Sequence, residues 1–228
     1  MKATSEQAER LHRFAHDLRN RLIGLQQVLE QLGQGDKDPE RSDIITFGEQ
    51  QYFKALREVE VLLDDLGVDR GSIEPTLAPT PLAPLVRQNL DMMQHRFTGK
   101  QQTLVIDLDE SAVVIADGRV TGDILSALFS NASKFSHPKG KIAVRSITNG
   151  GEAILEVKDE GTGLDPDDLQ QLFTRFAWLG NRPTGNESQG RGTLARMRDW
   201  ARAQQGELSA TSSGVGQGCT FTLRLPLA

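Results

Sequence analysis

A single cysteine, Cys219, stands in 228 residues, so no internal disulfide can staple the chain. In the run Gly218-Cys219-Thr220-Phe221 it reads as a small packed residue of a strand, with no catalytic role. Aromatic residues are scarce at 5 % and hydrophobic residues make up 37 %, which suits a soluble globular protein with aliphatic cores. No apolar run approaches the roughly 20 residues that cross a bilayer, and the polar start from Met1 to Arg10 is no signal peptide. The expected location is therefore cytoplasmic, with no membrane span. Positive charge is in deficit too. A formal net charge of −5 argues against a general nucleic-acid surface and leaves Arg191, Arg196, Arg198 and Arg202 as one local basic patch.

Helical periodicity is plentiful in the first third. From Ser5 to about Leu32, Leu11, Leu18, Leu25 and Leu32 recur on one stripe, with Phe14 and Val28 on its partner. Gly33-Gln34-Gly35-Asp36 and Pro39 then supply a stop and a turn. Ile45, Tyr52, Val59 and Leu66 repeat every seven residues, with Leu56 and Leu63 beside them, so residues 42–66 are the expected returning helix. Two helices cannot bury both stripes alone. Pairing with a second copy through residues 5–66 makes a four-helix bundle, and docking onto the rest of the same chain is the alternative.

His16 falls on the face opposite the apolar stripes, in Arg13-Phe14-Ala15-His16-Asp17-Leu18-Arg19-Asn20. A structural histidine usually sits on or beside the apolar stripe. This one is placed in water with Asp17 beside it to hold one tautomer, which suits a nucleophile. Asn20 lies one turn beyond on the same face. His12 is one turn from His16, but no third ligand is visible nearby, so no metal pair is read there.

Residues 67–84 carry Gly67, Gly71, Pro75, Pro79, Pro81 and Pro84, a linker composition that marks a domain boundary. Beyond it, helical stretches (about 82–97, 118–135, 166–176 and 193–205) alternate with strand-like runs at 103–108, 141–147, 153–158, 207–211 and 219–225. The order predicts an α+β two-layer sandwich with helices on one sheet face.

In this second unit Asp159-Glu160-Gly161-Thr162-Gly163 ends a strand in a turn. An aspartate there can accept the exocyclic amine of adenine, and the glycines let backbone approach a nucleotide, although ordinary surface turns share the pattern. Leu125 to Ser136 forms an apolar helix with Asn131 and Lys134 on one face. An amide oxygen suits Mg²⁺ and an ammonium suits phosphate; taken alone, the pair equally describes a solvated helix edge.

In this order the residues resemble the two-component sensor histidine kinases, and the resemblance spans nearly the whole chain. His16-Asp17-Leu18-Arg19-Asn20 resembles the family's histidine box, Asn131-Ala132-Ser133-Lys134-Phe135 its asparagine box and Asp159 to Gly163 its first glycine box. Leu172-Phe173-Thr174-Arg175-Phe176 resembles the phenylalanine box that opens the ATP lid, and Gly218 to Pro226 the closing strand. The resemblance implies a dimerisation and histidine-phosphotransfer hairpin over residues 1–70, a linker over 71–81 and a catalytic ATP-binding domain of the GHKL (Bergerat) class over 82–228. It implies that His16 attacks the γ-phosphate of ATP with Asp17 as general base, and that Asn20 orients a water for dephosphorylating the partner. Asp159 would read adenine, Asn131 would hold Mg²⁺ and Lys134 would meet the phosphates, with Gly161, Gly163, Phe173, Gly190, Arg191 and Gly192 completing the ATP site. The partner it implies is the receiver domain of a response regulator.

Three departures stand out. Residues 183–195 align so that Gln189, Arg191 and Thr193 occupy places where the family usually has glycines, with Gly190 and Gly192 offset by one. Either Arg191 replaces amide contacts with a guanidinium or phosphate binding is weakened. Ala127 replaces a common asparagine, and Arg21 a common proline on the bundle stripe, where it must snorkel out or pair with an acid. Only fifteen residues precede His16, so no sensor domain is expected, and input comes from a separate sensory partner or the chain is the core of something longer. The leading expectation is an ATP-dependent protein-histidine kinase. The alternative is a histidine phosphotransferase, response-regulator-binding protein or phosphatase with a degenerate ATPase-like domain.

Overall fold

The computed structural model describes residues 73–174, 177, 179, 184 and 193–228, together with 45, 47, 48, 52 and 55. The chain divides into two compact units, Met1–Ser72 with Thr174–Trp178, and Ile73–Phe173 with Leu179–Ala228. In the first unit Ile45 and Tyr52, seven residues apart on the expected stripe, are helical and buried, while Phe47 is helical and exposed. The remainder of the expected hairpin, including the turn at Gly33, lies outside the described residues.

The second unit has the α+β architecture expected of it. Its elements are β1 (Ala78–Pro81), α1 (Leu82–Met92), α2 (Gln94–Gly99), β2 (Thr103–Asp107), β3 (Val113–Ala116), α3 (Gly118–Phe135), β4 (Lys141–Asn149), β5 (Glu152–Asp159), α4 (Pro166–Gln171), α5 (Thr193–Ala203), β6 (Glu207–Thr211) and β7 (Thr220–Pro226). Five strands form one sheet in the order β2-β4-β5-β7-β6, in which β2 runs parallel to β4 and the other neighbours are antiparallel. Strand alternation decides which face packs. Val144, Val157 and Phe221 lie in one cross-strand row, Ser146, Leu155 and Leu223 in the next, and all six are buried. Against that face α3 presents Val120, Ile124, Leu125, Leu128, Phe129 and Ala132, at the i, i+4 spacing of one helical stripe. Leu82, Val86 and Leu90 of α1, Phe97 of α2 and Met197 and Ala201 of α5 complete the core.

Local chemistry sets the helix ends. The Asp117 carboxylate accepts the N–H groups of Arg119 and Val120 and so caps α3, and Asp165 accepts from Asp168 at the start of α4, where Pro166 needs no N–H partner. Three expectations need correction. The helix expected over 82–97 breaks at Met93, whose backbone leaves the helical region, and resumes as α2. The helix expected over 166–176 stops as α4 at Gln171. Ala78–Pro81, at the end of the stretch expected as linker, pairs as an antiparallel ribbon with β3. Prolines at 79 and 81 lack the N–H of a central strand but are tolerated where one edge is unpaired.

Candidate functional site

Asp159 is the last residue of β5 and is only 3 % exposed. Its Oδ1 accepts the N–H of Gly161 (3.0 Å) and the N–H of Cys219 (3.2 Å). Among the described residues no hydrogen bond reaches Oδ2, which leaves one acceptor for a ligand donor. Burial pushes the carboxyl up from the usual 3.8 to about 6, against the two N–H groups that favour its ionised form. Relative to the unfolded chain, folding thus favours the protonated form of this carboxyl, which is still mostly ionised at pH 7. Its contribution to stability is present below about pH 4 and is lost as pH rises through about 6. A bound amine reverses the preference, because it needs the ionised acceptor. Affinity for an adenine ligand is therefore expected to fall as pH drops from 7 to 5, while the stability of the ligand-free domain gains from this group over the same interval. Calorimetric titration and thermal unfolding at the two pH values check both signs.

The glycines beside Asp159 are demanded by the protein's own backbone. A Cβ on Gly161 would stand 2.4 Å from the carbonyl oxygen of Phe135, and one on Gly163, whose φ is +63°, would stand 2.1 Å from that of Gly214. These approaches join three segments. Thr162 N–H donates to Phe135 O (3.1 Å), Gly161 pairs with Ser136 at the end of α3, and Gly216 and Gly218 donate to the carbonyls of Thr162 (2.7 Å) and Gly161 (3.1 Å). The fold thereby brings the turn after β5 against the helix end that carries Asn131 and Lys134. Asn131 is half-buried on α3, and Lys134 is buried with its ammonium 5.5 Å from the Phe135 ring centre.

Several contributors escape a motif-based reading. The loop Ser212 to Gly218 buttresses the Asp159 turn, with the Ser212 hydroxyl accepting Leu164 N–H (3.0 Å) and donating to Gly218 O (2.8 Å). Its glycines at 214, 216 and 218 were the available signal. Cys219 is a small buried strand residue as expected, and burial together with the Asp159 charge pushes its thiol up to about 12, so it stays protonated. Its backbone N–H is what serves the site. Phe173 is partly buried, with the Arg198 guanidinium 4.7 Å over its ring. Two further arginines of the basic patch are engaged within the chain: Arg196 stacks on Trp200 (5.2 Å), and Arg202 forks onto Glu207 (2.9 and 3.1 Å). His16, Asp17, Asn20, Gly190, Arg191 and Gly192 lie outside the described residues. No cluster of three metal-ligating side chains, and no helix long and apolar enough to cross a membrane, occurs among the described residues.

Comparison with known proteins bears on the family and the fold. Residues 116–228 match the family described as histidine kinase-, DNA gyrase B- and HSP90-like ATPase. The chain is 29 % identical to the sensor protein TorS of Escherichia coli over 99 % of its own length and 24 % of that protein. It is also 29 % identical to the circadian input-output histidine kinase CikA of Synechococcus elongatus, over 98 % of this chain and 30 % of that one. It thus spans less than a third of either relative. Among solved structures, full-length ShkA in complex with AMPPNP superposes with a TM-score of 0.60 at 25 % identity, covering 96 % of this chain and 46 % of that one. The mycobacterial sensor histidine kinase MprB gives 0.58 at 22 %, over 67 % of this chain and 98 % of that one. Residues 116–228 therefore belong to the histidine kinase-, DNA gyrase B- and HSP90-like ATPase family, in a chain whose relatives are sensor histidine kinases.

Proposed function

We propose that this chain is an ATP-dependent protein-histidine kinase of a two-component system, with Asp159 as the adenine-reading residue of its ATPase domain. The observation that carries the reading is the buried carboxylate itself. Oδ1 is held by two N–H groups, Oδ2 has no donor among the described residues, and the ionised form is penalised by burial until a donor arrives. Exocyclic amines of adenine are such donors, and ShkA, similar to this chain over 96 % of its length, is solved with AMPPNP. Asn131 supplies an amide oxygen for Mg²⁺, which offsets phosphate charge when bound, and Lys134 supplies an ammonium for the phosphates. Gly161 and Gly163 shape the turn, and Phe173 opens the segment that carries Gly190, Arg191 and Gly192 toward α5.

Residues 1–70 are the phosphoacceptor hairpin in this reading, paired with a second copy through residues 5–66. The His16 imidazole takes the γ-phosphoryl group, a new N–P bond replaces the P–O bond to ADP, and Asp17 holds the proton on the other ring nitrogen. The phosphoryl group then passes to an aspartate of a receiver domain, and Asn20 orients water for the reverse signal. A cytoplasmic setting fits this chemistry. The glycine-poor pattern at Gln189, Arg191 and Thr193 favours the second reading, phosphotransfer or phosphatase action without ATP turnover.

Incubation of the purified chain with γ-labelled ATP and Mg²⁺ separates the two. Acid-labile label on the wild type that falls to background in His16→Ala is the expected result. A folded protein that binds ATP and takes no label assigns it to the second reading, and label persisting in His16→Ala means another acceptor.

A further inference from the structure

The last turn of α3 is tied to the segment between α4 and α5 by an arrangement that the motif residues do not include. The Lys100 ammonium, just after α2, donates to the carbonyls of Ser133 (3.0 Å) and Lys134 (3.0 Å) and to the Thr184 hydroxyl (3.1 Å). Thr184 belongs to the joining segment. Its N–H donates to Lys134 O (3.1 Å), and its hydroxyl reaches Lys134 O (3.0 Å) and Ser136 O (2.5 Å). Gln102 holds the same turn from the buried side. Its amide donates to Ser133 O (2.9 Å) and Ser136 O (3.3 Å), and it accepts the Ser133 hydroxyl (2.8 Å).

The carbonyls at a helix C-terminus lack intrahelical partners and carry partial negative charge. That charge is unfavourable where a polyphosphate has to be held. A lysine placed on those carbonyls offsets it, and a threonine fastened to the Lys134 carbonyl fixes the backbone from which the Lys134 side chain extends.

We infer that Lys100 and Thr184 are positioning residues for the phosphates of the nucleotide: they hold the carbonyls of the Lys134 turn of α3 and so fix the backbone from which the Lys134 ammonium extends toward the phosphates. The inference rests on the nucleotide reading of the site. It separates the two ends of the ligand, because Asp159 reads the base from β5 and the Lys100–Thr184 anchor acts on the phosphate side.

The test compares ATP with adenosine on the full chain, using calorimetry for the former and ligand-observed NMR for the latter. Thr184→Val keeps the shape and the N–H contact and removes the hydroxyl. It should weaken ATP by about five- to tenfold and leave adenosine within about twofold. Thr184→Ser should restore ATP binding to nearly the wild-type value, and Lys100→Met should reproduce the selective loss. Equal weakening of ATP and adenosine would make the anchor merely structural and overturn the inference, as would unchanged ATP affinity in Thr184→Val. A folded wild type that binds neither ligand would remove the nucleotide reading itself, a result distinguishable from both.

Discussion

Asp159→Asn is expected to raise the melting temperature of the ATPase domain and, in the same protein, to remove most of its affinity for ATP. A carboxyl lifted from 3.8 to about 6 costs the ionised folded state on the order of 3 kcal/mol at neutral pH. The amide avoids that cost and keeps the oxygen that accepts from Gly161 and Cys219. It places an N–H where Oδ2 stood, a buried donor without an acceptor, at about 1–2 kcal/mol. The net gain is about 1–2 kcal/mol, or a few degrees for a domain of this size. Toward adenine the sign reverses, because two donors now face each other, and a loss of about 100-fold in affinity follows. Opposite signs on stability and binding mark a residue kept for its ligand at the expense of the fold. A variant that loses both together would make Asp159 structural.

Gly218→Ala carries the largest expected cost in stability. The backbone there has φ of +68°, and an added Cβ would meet the Asp159 carbonyl oxygen at 2.0 Å and its carbon at 2.9 Å. The left-handed conformation alone costs a side chain about 1–2 kcal/mol, and overpacking against rigid backbone adds about 1–3. A total of about 2–5 kcal/mol is a large share of a typical domain's stability and should appear as a steep fall in the denaturation midpoint. The strand ends of β5 and β7 must part to admit the methyl group, so Asp159 loses its alignment and nucleotide affinity falls even under conditions where the variant stays folded. Gly150, where nothing stands within 4 Å of an added Cβ, is the control: although φ is +60° there, Gly150→Ala should cost only the conformational part and leave binding unchanged.

Long periodic stretches were readable from the sequence. The helix over 118–135 and the strand over 207–211 appear at the boundaries expected for them; α3 alternates apolar and polar faces at helical spacing, begins at an aspartate cap and ends three residues before Pro138. The ribbon of β1 and β3 was not readable. Four residues are too few to present a period, β1 carries two prolines besides, and the tertiary pairing of Ala78 with Ala116 and Thr80 with Val114 makes the two segments strands. The same distinction runs through the site. Asp159, Gly161, Gly163, Asn131 and Lys134 announce themselves by residue type in a short span. Cys219 contributes through a backbone N–H that every residue but proline owns, and Lys100 and Gln102 act on carbonyls more than thirty positions away. Side-chain identity carries no trace of such contacts. Nor did the glycine pattern disclose its reason, since the groups that exclude a Cβ at 161 and 163 belong to Phe135 and Gly214.

Titration of the wild-type chain with ATP and Mg²⁺, followed by calorimetry at pH 7.5 and repeated in the presence of excess adenosine, addresses the central claim most directly. The Asp159 carboxylate predicts a single site per chain whose apparent affinity adenosine lowers by competing for the same acceptor. A folded protein that gives no binding isotherm, or ATP binding indifferent to adenosine, would contradict it.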